Sequence, residues 1–229
     1  MNFPNNKMKA FTLSYDDGIE QDRRLVSIFN KYNLKCTFNL NSGIQSGSNK
    51  FDINGLTISR MNIAGLKELY QGHEIAVHSL THPNLVEQSI ETIQNEITQD
   101  KINLQRIFGG NIVGMAYPYG TYDLKTEQVL RENGIQYART VIATENFKLQ
   151  DNLLEFKATC HHNNPNLMKL AEDFINLEPT EPSIFYLWGH SYELDVDNSW
   201  DMIEEFCAKI SNRDDIFYGT NAEVLLCNR

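Results

Sequence analysis

No stretch of about 18 consecutive apolar residues occurs in the chain, so it offers no candidate transmembrane helix. Basic residues are scarce. Among 229 residues, 20 Lys and Arg stand against 30 Asp and Glu, a formal charge of −10, and they form no cluster of the kind that neutralises phosphates. Neither nucleic acid nor a membrane is therefore an expected partner. The four cysteines, Cys36, Cys160, Cys207 and Cys227, lack any Cys-x-x-Cys spacing, which excludes a zinc knuckle and a dithiol redox pair. Buried free thiols suit a reducing compartment. The first ten residues hold two lysines and no apolar core, so they do not read as a secretory signal, and a cytoplasmic location is the expectation. Internal repeats, low-complexity tracts and long linkers are also missing.

What remains is the composition of a globular protein, 41% hydrophobic and 10% aromatic. The length suits one domain over residues 1–229, large enough to bury about 70% of the surface of its unfolded chain. Short β-rich runs alternate with helical patterns from end to end. Strands are expected at 9–14, 35–40, 74–78, 112–117, 137–141, 183–188 and 216–218, with a weaker candidate at 153–159. Helices are expected at 22–32, 63–70, 89–108, 124–132, 166–176 and 200–210, followed by a short final one. In 89–108, Ile90, Ile93, Ile97, Leu104 and Phe108 keep the three-four spacing, and Gly109-Gly110 ends it. About seven strand–helix units predict a parallel barrel, with an open doubly wound sheet as the alternative. Residues 41–54 form the one long polar insert.

Residue types with chemistry gather at the ends of the expected strands, where α/β barrels build their sites. Ser14-Tyr15-Asp16-Asp17-Gly18 closes the first strand. Adjacent carboxylates in a continuing strand would face opposite ways, but Gly18 lets the chain bend and bring both toward one pocket, one as a metal ligand and one as a base. Read alone, Asp-Gly is equally a turn dipeptide. His78-Ser79-Leu80-Thr81-His82-Pro83 follows the third strand. In extended chain its two histidines would lie roughly 13 Å apart, so sharing an ion requires a turn after His78. Pro83 disfavours a helical His82. Ala116-Tyr117-Pro118-Tyr119-Gly120 is a rigid strand exit that could offer a backbone N–H to an oxyanion, and Leu187-Trp188-Gly189-His190 sets a histidine beside a tryptophan. A packed core histidine is the competing reading of His190. Arg139 could pair with Asp16 or cap a strand. Cys160-His161-His162 has no partner at ligand spacing and reads as a surface loop or pocket element.

Taken together, the Asp16-Asp17-Gly18, His78-x-x-x-His82 and Tyr117-Pro118-Tyr119-Gly120 elements resemble three motifs of the polysaccharide deacetylase family, carbohydrate esterase family four. The resemblance runs from about Lys9 to Gly120, and His190 extends it along most of the chain. It implies a distorted (β/α) barrel and one divalent metal ion held by Asp17, His78 and His82, with zinc first and manganese, cobalt, iron or nickel as alternatives. Asp16 would be the general base, the Tyr119 N–H an oxyanion donor and His190 the general acid. The pattern departs from the family at Ser14-Tyr15, in place of Thr-Phe, and at Ala116, in place of an arginine. An Asp-x-x-Asp-Trp motif has no match, and one extra residue separates Leu187 from His190. Arg139 is expected to replace the missing arginine and Trp188 the missing aromatic wall, with Tyr15, Tyr117 and Trp188 touching the substrate.

The expected activity is removal of acetyl groups, N-acetyl ahead of O-acetyl, from a carbohydrate or glycoconjugate. A non-catalytic carbohydrate-binding protein on the same barrel is the alternative. A metal-dependent phosphoesterase fits less well, because few basic residues occur in the motifs. With its acidic balance, the chain favours a neutral acetylated sugar over an anionic polymer.

Overall fold

A computed structural model describes residues 2–227. β1 (Lys9–Asp16) leads into α1 (Asp22–Lys31), and β2 (Cys36–Leu40) is followed by the hairpin strands β3 (Lys50–Ile53) and β4 (Leu56–Ser59) and by α2 (Ile63–Leu69). Next come β5 (Glu74–Val77), α3 (Ile90–Phe108), β6 (Gly114–Ala116), α4 (Leu124–Glu132), β7 (Tyr137–Ala143) and the short β8 (Phe156–Ala158) and β9 (Cys160–His161). The remaining elements are α5 (Leu167–Ile175), β10 (Ser183–Gly189), α6 (Ser191–Val196), α7 (Trp200–Ile210), β11 (Ile216–Tyr218) and α8 (Asn221–Leu225).

One nine-stranded sheet runs in the order β8-β7-β6-β5-β2-β1-β10-β9, with β11 beside the first residues of β1. Its pairings are parallel, with helical crossovers joining most successive strands and a loop with one 3-10 turn joining β7 to β8. The chain itself joins the two edges. β8 and β9 are separated only by Thr159, yet one pairs with β7 and the other with β10. Thr159 N–H donates to the Tyr186 carbonyl at 2.9 Å, and Thr159 Oγ1 accepts from Tyr186 N–H at 3.0 Å. The result is a distorted α/β barrel. The segment expected as a single strand at 153–159 is thus a 3-10 turn and a strand that changes sheet edge, which raises the strand number above seven.

Strand β1 is buried along its whole length, and its alternation separates two environments. Phe11, Leu13 and Tyr15 pack outward under the helices, Phe11 against Phe206 of α7 and Tyr15 against Phe29 of α1. Thr12, Ser14 and Asp16 point into the barrel, where Thr12 meets Asn221 and Asn39 meets both Ser14 and Asp16. In α3, the spacing read from the sequence buries Ile93, Ile97 and Leu104, each worth about 1.5 to 3 kcal/mol. Ser89 Oγ caps its start by accepting from Thr92 N–H at 3.2 Å.

Two elements go beyond the sequence reading. The polar insert is half loop and half hairpin, turning at Asn54-Gly55, both with positive φ (50° and 83°). Its strands alternate apolar Phe51, Ile53, Leu56 and Ile58 with polar residues about that Asn-Gly turn, a hairpin signal that the reading of 41–54 as a polar insert passes over. The second is α6, six residues long directly after His190, too short to show a helical period.

Candidate active site

The motif residues converge at the carboxyl ends of β1, β5, β6 and β10, around a cavity of about 590 Å³. Asp16, Asp17, His78, His82, Tyr117, Tyr119, Trp188 and His190 all line it. Asp17 reaches it because the chain leaves β1 with Asp17 at φ 83° and Gly18 at φ 62°. A Cβ on Gly18 would lie 2.2 Å from Gln45 Nε2 and 2.8 Å from Leu40 Cδ2, so the bend needs glycine both for its angle and for space.

His78 and His82 meet because the loop between them coils. Ser79 and His82 both have positive φ, 63° and 61°, a strain of the kind held in place at functional sites. Helix α3 supplies much of the restraint. Glu96 accepts from Thr81 N–H and Thr81 Oγ1, both at 2.8 Å, and Asp100 accepts from His78 N–H at 3.2 Å. Asn41 donates to the carbonyls of His78 and Ser79. The two imidazole centroids are 4.8 Å apart.

The ligand atoms of Asp17, His78 and His82 lie within 4.8 Å of one another. His78 Nδ1 donates to the Ala116 carbonyl at 2.7 Å, which leaves its Nε2 lone pair for a metal. Burial pushes His78 down to about 4 and also lowers His82, so both rings are neutral at pH 7. Burial opposes ionisation of Asp17, but Arg60 and the nearby histidines outweigh it and hold the carboxyl at about 2. Two neutral imidazoles and one carboxylate fit a divalent ion of the zinc type.

Asp16 sits beside this group with a separate set of partners. Oδ1 accepts from Asn39 Nδ2 at 2.8 Å, and Oδ2 pairs with Arg139 Nη2. Burial raises the Asp16 pKa, yet Arg139, His78 and His190 together hold it below the ordinary carboxylate value. Arg139 is fully buried, lies opposite Ala116 in the β6–β7 register, and stacks 4.3 Å from the Trp188 ring. His190 Nε2 is 3.8 Å from Asp16 Oδ2 and its Nδ1 is 3.4 Å from Glu193 Oε2. Burial would lower the His190 pKa, but Glu193 and Asp16 raise it to about 9, so the ring is protonated at pH 7.

Tyr119 is 63% exposed at the cavity rim, its ring 4.7 Å from His82. Tyr117 is buried, and its hydroxyl donates to the Leu154 carbonyl at 2.9 Å. Tyr15, expected to touch substrate, is corrected: it is fully buried on the helix side of β1, with its hydroxyl 3.0 Å from His162 Nδ1. Strand alternation puts it on the opposite face from Asp16.

Glu193 and Arg60 complete the site and were not singled out from the sequence. Glu193 Oε2 lies 3.0 Å from His161 Nε2, 3.2 Å from His162 Nε2 and 3.0 Å from the His190 N–H. The pair His161-His162 therefore has a partner after all, delivered by α6. These groups resemble a second metal site, but the hydrogen bonds argue otherwise. His161 Nδ1 accepts from Asn163 N–H at 3.1 Å, so a neutral His161 carries its proton on Nε2, facing Glu193. The cluster is a receptor for the Glu193 carboxylate, and although burial opposes ionisation, its three histidines hold the group well below the usual carboxylate range. Arg60, after β4, donates to Asp17 Oδ1 and the Asp17 carbonyl, both at 2.8 Å. Only the Glu193 position had a sequence signal, an acid three residues after His190.

Comparison with known proteins fits this geometry. The polysaccharide deacetylase family model matches residues 4–138, which hold the three motifs and stop short of His190. The chain belongs to the polysaccharide deacetylase family. It is 26% identical over 145 residues to the peptidoglycan-N-acetylglucosamine deacetylase PgdA of Listeria monocytogenes, covering 62% of this chain and 28% of that protein. The match thus spans little more than a quarter of that relative. In fold, the chain is similar to the chitin deacetylase of Colletotrichum lindemuthianum (TM-score 0.59, 20% identity, 97% of this chain and 89% of that one). It is also similar to a family 4 carbohydrate esterase from Streptomyces lividans in complex with acetate (TM-score 0.57, 15% identity, 92% and 91%).

Proposed function

We propose that this protein is a metal-dependent hydrolase that removes acetyl groups from a carbohydrate or glycoconjugate, N-acetyl ahead of O-acetyl. The observation that carries the reading is one cavity in which a neutral-histidine metal triad adjoins two titratable groups pushed in opposite directions. Asp16 is held ionised by Arg139 and His190 is held protonated by Glu193, the division expected of a base and an acid. Zinc is the first choice of ion, held by Asp17, His78 and His82. When bound, it would polarise the acyl carbonyl and acidify a water.

The remaining work falls to the chain. Asp16 Oδ2 accepts a proton from the attacking water, while Arg139 and Asn39 fix its orientation. The Tyr119 N–H is the donor assigned to the developing oxyanion. His190 gives its Nε2 proton to the departing amine or alcohol, and Glu193 steadies the imidazolium from Nδ1. Trp188, stacked on Arg139, and Tyr117 form the wall behind the acyl group.

Acetate release from N-acetyl and O-acetyl sugars tests the proposal. Asp16→Asn is expected to lose at least about a hundredfold in kcat while retaining one metal per chain by elemental analysis. Near-wild-type turnover in this variant would sink the base assignment. Sugar binding by the wild type with no acetate released would favour the non-catalytic reading. One catalytic unit over residues 1–229 and a cytoplasmic location belong to the same proposal, supported by four unpaired cysteines. Fractionation of the native host tests the location.

A further inference from the structure

The cavity is walled on one side and open on the other. In the sheet, β1 lies between β2 and β10. The chain leaving β2 makes the β3–β4 hairpin, the chain leaving β10 makes α6, and these two insertions meet across the end of β1. Phe51 of β3 and Tyr192 of α6 touch edge to face at 5.6 Å, and both line the cavity.

The wall is anchored at both ends. Ser59 accepts from Glu20 N–H at 3.0 Å, and Met61 N–H donates to the Gly18 carbonyl at 2.9 Å, pinning the hairpin to the bend that carries Asp17. Arg60 lies 5.7 Å from the Phe51 ring while its other end holds Asp17. On the α6 side, Gln21 Nε2 donates to Asp195 Oδ2 at 2.9 Å. Across the cavity, the loops after β5 and β6 touch through the rings of His82 and Tyr119, but no ring contact or ion pair among the described residues carries that rim on to Val141 of β7. Tyr119 and Val141 stand there 63% and 41% exposed, both lining the cavity.

Resting on the deacetylase reading above, we infer that the substrate is a small acetylated saccharide or the terminal sugar of a longer glycan, and not an internal residue of a polymer. A sugar whose acetyl group reaches Asp16 and His190 meets Phe51 and Tyr192 on one side, so glycan can continue only past Tyr119 and Val141. An internal residue needs exits on both sides. The volume of about 590 Å³ is that of a small-ligand pocket. The exposed Tyr119 ring offers a stacking face for the next sugar along the open side.

The test uses a reducing-end-labelled tetramer of N-acetylglucosamine, its O-acetylated counterpart and the corresponding long polymers. Released acetate is measured, and mass spectrometry locates each ring that has lost its acetyl group. One terminal ring is expected to react at least about tenfold faster than any internal ring. In Phe51→Ala, the internal-to-terminal ratio should rise by about tenfold or more, whereas Tyr192→Phe, which keeps the ring edge, should retain the wild-type pattern. Internal rings reacting as fast as terminal ones in the wild type would overturn the inference and leave the deacetylase reading standing. An unchanged ratio in Phe51→Ala with full metal content would overturn it as well. No acetate from any of these sugars would remove both.

Discussion

Glu193 shows how a single residue sets the chemistry of its neighbour. Its carboxylate lies against His161, His162 and His190, and its charge is a principal reason that His190 is raised to about 9 despite burial. Removing that charge lowers the His190 pKa, so the acid loses its proton at a lower pH. Glu193→Gln is therefore expected to move the basic limb of the kcat/KM profile to lower pH by about one unit, with the acidic limb unchanged; a basic limb that stays in place would show that Glu193 does not set the acid. His190 also carries a stability signature. With its folded pKa above the unfolded value, its protonation contributes stability that is complete below about pH 6.5 and lost as pH rises through about 9. At this scale, Asp16, Asp17, His78, His82 and His190 were legible as residue types at strand ends. Glu193 was not, because three residues of separation mean a contact only if the chain is helical there, and α6 has too few turns to declare itself.

Among the elements, α3 does more than cover the barrel. Its apolar stripe fixes its position, and that position presents Glu96 and Asp100 to the backbone of the histidine loop. The positive φ angles of Ser79 and His82 persist because these bonds hold them. In Glu96→Ala, the exposed Thr81 loses two hydrogen bonds to a buried carboxylate, which is expected to cost about 1 kcal/mol in urea unfolding. Metal affinity by chelator competition should fall about tenfold or more. Affinity equal to wild type would show that the loop holds its shape without α3. The helix was readable from its period and its cap. Its role was not, since an acid on a helix face looks like a solvated charge until the loop that lies on it is known.

For the whole molecule, the barrel is the device that brings residues 16 and 190 together. β1 and β10 are adjacent and in register over Lys9 to Tyr15, each residue pairing with one 174 positions further along the chain. A ligand bound only by the closed barrel stabilises it by mass action, about 2.7 kcal/mol at a hundredfold excess over Kd. For a chain of this size, zinc is expected to raise Tm by roughly 5 to 11 °C, with no rise in His78→Ala. An equal rise in both would place the ion elsewhere. The sequence by itself determined the alternation of strands and helices, the strand-end location of the motifs and the resemblance that named the family, since all of these depend on local periodicity and short spacing. Tertiary structure alone decided which groups face each other. It placed Arg139 on Asp16 through strand register, turned Tyr15 away through the pleat, brought Glu193 under His190, and folded a polar insert into one wall of the cavity. Such contacts arise from the closure of the sheet, and no local pattern of residues encodes which distant strand will become a neighbour.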